Sequence, residues 1–431
     1  MITHTMLILA LAAPGEPLVD AVKVDNVLGH LQAFQAIADA HGGTRAAGTP
    51  GYDASAAYVA ARLRDAGYTV RLQPFAFDFY RELAPAVVEG GGRRLAGVTT
   101  LRYSGGGDVS AAPQEAGEGC AARDFKGFRA GRIAVTRRGT CMFEVKARNA
   151  AAAGAKALIV VDQKGSFAGS AGTPQPIPVV GVPPEAGAQV TRLKKVRVTT
   201  KTVSEERITH NVLAETRGTG KVVMAGAHLD STPDGPGIND NGSGSAAILE
   251  IALRAARTPL RQPVRFAWWG AEEVGLLGSG HYVRNLPETE RKKIEAYLNL
   301  DMIASPNHTF AIFDGDDSER SGAGAGPKGS ARVERAFQRY FRERGLPFRA
   351  ADLTGRSDYG PFMAAGIASG GLFTGGDEKK TEKEAGLFGG TAGQPLDKCY
   401  HQACDTLRNV SVKALEVTAD AVAAVVSRLA A

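Results

Sequence analysis

The residues of this sequence best suited to metal chemistry stand at the ends of predicted strands. They are His228 and Asp230 after Lys221–Ala227, Glu272 and Glu273 after Val264–Trp269, and Asp301 near the end of Ala296–Met302. Ligands of open α/β sheets bind just outside the carboxyl ends of the strands. A site built from imidazole and carboxylate groups is therefore expected at this edge.

The stretch Gly226–Ala247 (GAHLDSTPDGPGINDNGSGSAA) supplies three of the candidate side chains. His228 can give one ring nitrogen to a metal, and Asp230, two residues later, can accept the hydrogen bond that fixes the histidine tautomer. Asp240 follows a loop rich in Gly and Pro, directly before a predicted helix, where it could equally be an N-cap. Taken alone, this stretch fits either a metal-binding loop or a capped loop.

The other candidates also have structural alternatives. Two adjacent carboxylates, Glu272 and Glu273, are costly next to a buried strand unless a charge compensates them, yet the same pair could begin a surface helix. Tyr400 and His401 lie between Cys399 and Cys404. A bridge between these cysteines would either present the two side chains or only stabilise the loop.

Considered together, the candidates predict a metal centre with two ions. The ligand set contains two His and three carboxylates: His228, Asp240, Glu273, Asp301 and His401. Mixed imidazole and carboxylate ligands suit zinc, and also manganese or cobalt. Five ligands exceed the three of a catalytic zinc, but two ions that share one bridging Asp receive three each. Glu272 then remains beside the metals, where a general base is needed.

An α/β pattern of elements surrounds these residues. Apolar residues recur at helical spacing through Val24–Ala61, with a turn cluster at Gly42–Gly51. Further helices are predicted at Tyr52–Ala66, Phe143–Ala153, Ser245–Ala256, Leu276–Asn285, Val333–Arg344 and Val412–Ala430. Further strands are predicted at Tyr68–Phe77, Arg132–Thr136, Ala157–Val161, Val179–Val182 and Asn211–Glu215. Residues 83–204 carry short strands, a single clear helix and no acid–histidine pattern, which predicts an inserted domain.

Composition excludes several other classes of protein. The 431 residues are 44% hydrophobic and 22% charged, and the 53 Gly favour a loop-rich α/β protein. The net charge of +6 comes from scattered Lys and Arg without a basic stripe, which indicates a solvated surface and no nucleic-acid site. No stretch approaches the ~20 apolar residues of a membrane span. A monomer is the default expectation.

Cysteine usage and the N-terminus predict an extracellular protein. The four cysteines form no CxxC pairs, and their spacing predicts two disulfides, Cys120–Cys141 and Cys399–Cys404, in an oxidising compartment. Met6–Ala13 is an apolar run typical of a signal-peptide core, although no Lys or Arg precedes it. Residues 1–23 are therefore predicted to be a leader and the protein to be secreted.

Several motifs together resemble one enzyme family. AHLDS, GINDNGSGSAA, VRFAWWGAEEVGLLGS, LNLDMIASPN, GRSDYGPF, GGLFTGG and CYHQAC are similar to secreted di-zinc aminopeptidases of the bacterial leucyl aminopeptidase, aminopeptidase S and aminopeptidase Y type. The segment DFKGFRAGRIAVTRRGTCMFEVKARNAAAAGAKALIVVDQ resembles a protease-associated (PA) domain. The resemblance implies a three-layer αβα sandwich with a mostly parallel mixed sheet. It places the catalytic domain at 24–82 and 205–431 and a β-rich PA domain at 83–204.

The same resemblance assigns a role to each candidate residue. It implies that His228 and Asp301 bind one zinc, that Glu273 and His401 bind the other, and that Asp240 bridges the two, with a cis peptide after it. It also implies that Asp230 orients His228, that Glu272 activates a water between the metals, and that Tyr400 donates a hydrogen bond to the oxyanion. Arg356 corresponds to an arginine that contacts the substrate.

The implied activity is removal of the N-terminal residue from peptides or proteins, with a preference for large hydrophobic residues such as Leu. Calcium activates some relatives, but no calcium site can be located here. Three alternatives remain: a single-zinc transferase like glutaminyl cyclase, a non-catalytic receptor on the same scaffold, and a carboxypeptidase-like enzyme. Metal content separates the first two, because the transferase holds one zinc and receptors of this kind lose ligands.

Overall fold

The computed structural model describes residues 17–320, 322 and 324–431. The apolar run Met6–Ala13 lies outside the described residues. The chain forms two compact units. The first contains the residues up to Phe75 together with Thr209–Ala431, and the second contains Ala76–Ile208. The domain limits at 83 and 204 suggested by the sequence fall inside two long strands that connect the units.

The helices of the described residues, numbered in chain order, are α1 Pro17–Ala21, α2 Val24–Ala40, α3 Pro50–Asp65, α4 Phe143–Ala152, α5 Pro184–Val190, α6 Gly244–Ala255, α7 Leu277–Arg284, α8 Glu288–Arg291, α9 Ser330–Glu343, α10 Tyr359–Ala364, α11 Glu382–Phe388 and α12 Val412–Leu429. The strands are β1 Arg71–Gly90, β2 Arg93–Arg94, β3 Thr99–Thr100, β4 Gly107–Ala111, β5 Pro113–Glu115, β6 Ile133–Arg137, β7 Ala157–Val161, β8 Val179–Val182, β9 Val196–Glu215, β10 Val222–His228, β11 Val264–Trp269, β12 Ile294–Leu300, β13 Ala311–Phe313, β14 Arg349–Ala351 and β15 Ser369–Phe373.

The first unit is built on a mixed sheet with helices on both faces. Its strand order is β14-β13-β15-β12-β10-β11-β9-β1. The central neighbours β11, β10, β12 and β15 are parallel, whereas β9 and β13 run antiparallel to theirs. This arrangement confirms the predicted α/β class with a mostly parallel mixed sheet. Buried, continuously apolar strands such as β10 are typical of sheets that are covered on both sides.

Two apolar clusters fill the layers of this unit. On one face, side chains of α2, α3, α6, α9 and α12 pack against the sheet in a large cluster. On the other face, α7 and α10 cover a smaller cluster rich in aromatic residues. Among the described residues, no helix is long and apolar enough to cross a membrane.

The second unit has its own sheet, in the order β3-β8-β7-β6-β5. Strands β5 to β8 are parallel, and β3 is antiparallel to β8. Helix α4 and a separate apolar cluster lie with this sheet. The Cys120–Cys141 disulfide lies within this unit, in the pairing expected from the sequence.

The structure corrects two predictions of secondary structure. The helical stretch expected through Val24–Ala61 ends at Ala40, because Gly42 and Gly43 adopt positive φ angles of 77° and 81° that a helix does not allow. The inserted segment was also predicted to have only one clear helix. It contains α5 as well, a short helix that begins with Pro184 at a position where proline is tolerated.

Candidate metal centre and active site

The three parallel strands at the centre of the sheet bring the candidate side chains to one edge. His228 is the last residue of β10, Trp269 ends β11 two residues before Ala271, and Leu300 ends β12 immediately before Asp301. Parallel neighbours end on the same side of the sheet. The acidic side chains that follow these strands therefore converge on His228.

Asp240 lies between the two histidines. Its Oδ1 is 3.2 Å from His228 Nε2, and its Oδ2 is 3.1 Å from His401 Nε2. Each oxygen of one carboxylate thus faces a different imidazole, which is the arrangement needed for a ligand shared between two ions. The Asp240–Asn241 peptide bond is cis.

Each half of this arrangement contains one further carboxylate. Asp301 Oδ1 is 3.4 Å from His228 Nε2, and Glu273 Oε2 is 3.1 Å from His401 Nε2. The donor atoms of the set His228, Asp240 and Asp301 lie within 4.8 Å of one another, as do those of the set Asp240, Glu273 and His401. The structure therefore brings together all five ligands proposed from the sequence.

Two buried oxygens of this cluster have no hydrogen-bond partner in the protein. They are Glu273 Oε1 and Asp301 Oδ1. Leaving a buried carboxylate oxygen unpaired is unfavourable, so the pairing must come from a group that is not a protein side chain. The donor set of imidazole and carboxylate, with unpaired oxygens in both halves, fits two divalent cations.

The electrostatics of the cluster also favour bound cations. Burial and nearby Asp240 raise the pKa of Glu273 to about 7. Burial lowers the pKa of His401, but hydrogen bonds to Asp240 and Glu273 outweigh it and raise that pKa to about 10. For His228, burial also lowers the pKa, and the charges of Glu272 and Asp301 raise it well above the ordinary value. Carboxylates this close together stay fully ionised at neutral pH only when positive charge lies among them.

Glu272 occupies a partly buried position beside the ligands, outside the two sets that share Asp240, although its donor atom also lies within 4.8 Å of donor atoms of His228 and Glu273. Its Oε2 is 3.8 Å from His228 Nε2, and burial raises its pKa well above the ordinary value. Ala271 before it adopts φ 58°, a left-handed conformation that is unusual for a residue with a side chain. Such conformations cluster at functional sites, and here the turn directs the adjacent carboxylates towards the histidines.

Asp230 makes two kinds of contact in this cluster. Its main-chain oxygen is 3.0 Å from His228 Nδ1, while its carboxylate Oδ1 is 3.7 Å from the same nitrogen. The carboxylate also accepts the backbone N–H groups of Glu272 and Glu273, at 3.2 and 3.3 Å. Asp230 therefore links the β10 ligand to the two acidic residues after β11.

Two residues that hold the bridging ligand were not identified from the sequence. The Asp405 carboxylate accepts the backbone N–H groups of Asn239 and Asp240, both at 2.9 Å. Arg45 is completely buried and donates hydrogen bonds to the main-chain oxygens of Leu229, Pro236 and Gly237. Burial lowers the pKa of Arg45 to about 10. The loop from Leu229 to Asp240 is thus fixed from both sides.

The C-terminal loop carries Tyr400 and His401, closed by the Cys399–Cys404 disulfide. The two rings are 3.8 Å apart, and burial raises the pKa of Tyr400. Arg356 is exposed in the loop before α10. No contact in the structure ties Arg356 to the five ligands, whereas the adjacent Ser357 donates a 2.6 Å hydrogen bond to Asp301.

Sequence and structure comparisons place these residues in context. The model of peptidase family M28 matches residues 211–426, and the PA-domain model matches residues 107–190. The chain is 44% identical over 442 residues to an aminopeptidase of Pseudomonas aeruginosa, with 95% of this chain and 81% of that protein covered. It is 36% identical over 428 residues to a probable leucine aminopeptidase 2 of Arthroderma benhamiae, at 96% and 86% coverage. A zinc aminopeptidase from Bacillus subtilis superimposes with a TM-score of 0.64 at 28% identity, covering 95% of both chains.

Proposed function

The chain belongs to peptidase family M28 and is a hydrolase with a PA domain, and we propose that it is a zinc-dependent aminopeptidase acting on the N-termini of peptides or proteins. The observation that carries this proposal is Asp240, whose two oxygens face two different histidines. A second support is Glu272, a carboxylate 3.8 Å from His228 Nε2 that neither of the two sets sharing Asp240 needs to reach three ligands. Catalysis is assigned to residues 24–82 and 205–431.

The proposed centre holds two zinc ions. His228 and Asp301 would hold one ion, Glu273 and His401 the other, and Asp240 both. Zinc in such a site supplies a Lewis acid that lowers the pKa of bound water and polarises the scissile carbonyl. Calcium has no comparable support: in the other acidic group of the described residues, Asp314 and Glu334 already accept protein hydrogen bonds.

Glu272 is proposed as the general base and then the general acid. Its carboxylate takes the proton of the attacking water and passes it to the nitrogen of the leaving amine, so the proton balance closes within one turnover. The raised pKa of Glu272, caused first by burial, suits a group that must both accept and release a proton. Asp230 would keep the Glu272 backbone in place through the hydrogen bond at 3.2 Å.

Recognition of the substrate is proposed to involve three further groups. The free α-amine of the first residue would lie near Glu272 and Asp301, which restricts cleavage to the N-terminal peptide bond. Tyr400 would donate a hydrogen bond to the oxyanion, and Arg356 would contact the substrate. Preference for Leu or another large hydrophobic residue is supported by the similarity to a probable leucine aminopeptidase. The two disulfides support export to an oxidising compartment.

The test compares Leu-p-nitroanilide with its N-acetylated form, with and without a zinc chelator. Glu272→Gln is the active-site variant, and Glu288→Gln, at an exposed helical position, is its matched control. We expect chelator-sensitive cleavage of the free-amine substrate only, lost by at least 100-fold in Glu272→Gln and retained in the control. Equal cleavage of the acetylated substrate would refute the proposed role of the α-amine. Cyclisation of an N-terminal Gln without hydrolysis would favour the transferase alternative.

A further inference from the structure

A buried aromatic pair crosses the central sheet behind the candidate metal centre. Trp269 on β11 and Tyr297 on β12 are separated by β10, because the strand order is β12-β10-β11. Gly226 is the β10 residue between them. A Cβ at this position would lie 2.5 Å from the Tyr297 hydroxyl and 2.7 Å from Trp269 Nε1. The absence of a side chain at Gly226 therefore lets the indole reach the phenol directly, with an Nε1–hydroxyl distance of 2.7 Å.

From Tyr297, hydrogen bonds continue to the metal centre. The Tyr297 hydroxyl is 3.1 Å from Asn299 Oδ1, and Asn299 Nδ2 is 3.0 Å from the Ser357 hydroxyl oxygen. Ser357 in turn is 2.6 Å from Asp301 Oδ2. Tyr297 and Asn299 alternate along β12 and so project from the same face of the sheet, and Asp301 directly follows this strand.

The donor and acceptor capacities of the groups fix the direction of every hydrogen bond in this series. The indole N–H of Trp269 can only donate, so the Tyr297 hydroxyl accepts from it and gives its single proton to Asn299 Oδ1. The Asn299 amide then presents Nδ2 as a donor to Ser357. Because the Ser357 oxygen accepts that bond, its own proton points to Asp301.

We propose that Trp269, Tyr297 and Asn299 are positioning residues. Acting through Ser357, they hold the Asp301 carboxylate so that it binds a metal ion through Oδ1 alone. The inference rests on the proposed zinc centre. Asp301 Oδ2 accepts the hydrogen bond of the Ser357 hydroxyl, while Oδ1 is buried, has no hydrogen-bond partner in the protein and lies 3.4 Å from His228 Nε2. A carboxylate held in this way would give one donor atom to an ion on the His228 side.

Burial makes the series of hydrogen bonds from Trp269 to Asp301 rigid. Trp269 and Tyr297 have no exposed surface, and Asn299 is 1% exposed. Bulk water is therefore excluded from replacing a missing hydroxyl. The Tyr297 ring also stacks on Phe362 with a centroid distance of 3.9 Å, which keeps the phenol in place between Trp269 and Asn299.

The proposal predicts an unequal loss of the two zinc ions. Tyr297→Phe removes the hydroxyl that links the indole to Asn299, while the ring still packs on Phe362. Loss of a direct outer partner of a metal ligand, which Ser357 is for Asp301, weakens metal affinity by about 10- to 100-fold. A smaller loss is expected for Tyr297→Phe, because Tyr297 acts through Asn299 and Ser357. Zinc per chain is measured by atomic emission after equilibration with a graded series of chelator concentrations. Tyr297→Phe is expected to pass through a plateau of one zinc per chain where the wild type still holds two.

Tyr282→Phe is the matched control. Tyr282 lies in the same aromatic cluster, 5.2 Å from the Trp269 ring, but its hydroxyl bonds to Arg265 and has no place in the chain to Asp301. This control is expected to lose zinc like the wild type. Ser357→Ala should reproduce the one-zinc plateau even if Tyr297→Phe does not fold, and Ser357→Thr, which keeps a hydroxyl, should restore much of the lost affinity.

The possible outcomes separate this inference from the function it rests on. Identical zinc-loss curves for wild type, Ser357→Ala and Tyr297→Phe would overturn the positioning role while leaving the two-zinc centre in place. A wild type that holds fewer than two zinc ions before chelation would overturn the centre itself, and with it this inference. Simultaneous weakening of both ions in Tyr297→Phe would also refute the assignment to Asp301 alone.

Discussion

Replacement of Gly226 by Ala is the sharpest perturbation of the central sheet. The added Cβ would lie 2.5 Å from the Tyr297 hydroxyl, 2.7 Å from Trp269 Nε1 and 2.8 Å from a ring carbon of Tyr297. Neither ring has space to retreat, because Tyr297 stacks on Phe362 and Trp269 packs against Tyr282. The change must therefore separate the aromatic pair or shift the backbone of β10.

The cost of this change has two parts. Overpacking of a dense core costs about 1–3 kcal/mol, and loss of the indole–phenol hydrogen bond adds about 1 kcal/mol. A total of about 2–4 kcal/mol corresponds to a fall in melting temperature of roughly 3–6 °C, because the unfolding entropy of a unit of roughly 300 residues is about 0.6 kcal/mol per degree. Differential scanning calorimetry of the chelator-treated protein measures this fall separately from any change in bound metal.

Gly29→Ala is the matched control for this prediction. Gly29 lies within α2, and a Cβ there meets no atom within 4 Å, so alanine should stabilise the helix by about 0.5–1 kcal/mol. A melting temperature of Gly226→Ala within 1 °C of the wild type would refute the reasoning. Such a result would mean that the aromatic pair moves freely and that the packing around Gly226 does not fix it.

Three further perturbations test other parts of the site. Asp405→Ala leaves the two backbone N–H groups at the bridging ligand unpaired, so a loss of about 2–4 kcal/mol in stability and weaker zinc binding are expected by calorimetry and chelator titration. Cys399→Ser with Cys404→Ser should lower kcat/KM while the disulfide of the second unit stays intact; unchanged kinetics would show that the bridge only stabilises the loop. Burial raises the pKa of Asp420 to about 6 in the folded protein, whereas an Asp in the unfolded chain has a pKa of about 4. Ionisation of Asp420 therefore lowers the stability of the folded protein as the pH rises from about 4 to about 6. Asp420→Asn should therefore raise the melting temperature above pH 6 and not below pH 4.

The sequence pointed to three of the candidate ligands because they lie at or just past the ends of apolar strands. His228 ends β10, Asp301 directly follows β12 and Glu273 lies four residues after β11, and the parallel order of those strands brings them together. Asp240 and His401 were harder to place, since a loop Asp and a His between two cysteines have simpler explanations. Only their combination with the strand-end residues, and the family resemblance that followed, distinguished them.

The supporting residues could not be found in the same way. Arg45 lies in a turn cluster 184 positions before the first carbonyl that it binds, and nothing in its local sequence indicates burial. Asp405 looks like an ordinary residue after a cysteine, yet its carboxylate accepts two backbone N–H groups near the bridging ligand. From the sequence, Gly226 would only be expected to weaken an apolar strand. In each case the role depends on partners that are distant along the chain, and local patterns carry no information about them.

The contact between Asp405 and the Asn239–Asp240 backbone also sets the order in which the site can be assembled. During synthesis, the segment with His228, Asp240, Glu273 and Asp301 leaves the ribosome well before the loop with His401 and Asp405. Until that loop arrives, one half of the candidate centre lacks His401, and the Asp240 backbone N–H lacks the carboxylate that accepts it. In a nascent or C-terminally clipped chain the candidate centre is therefore incomplete.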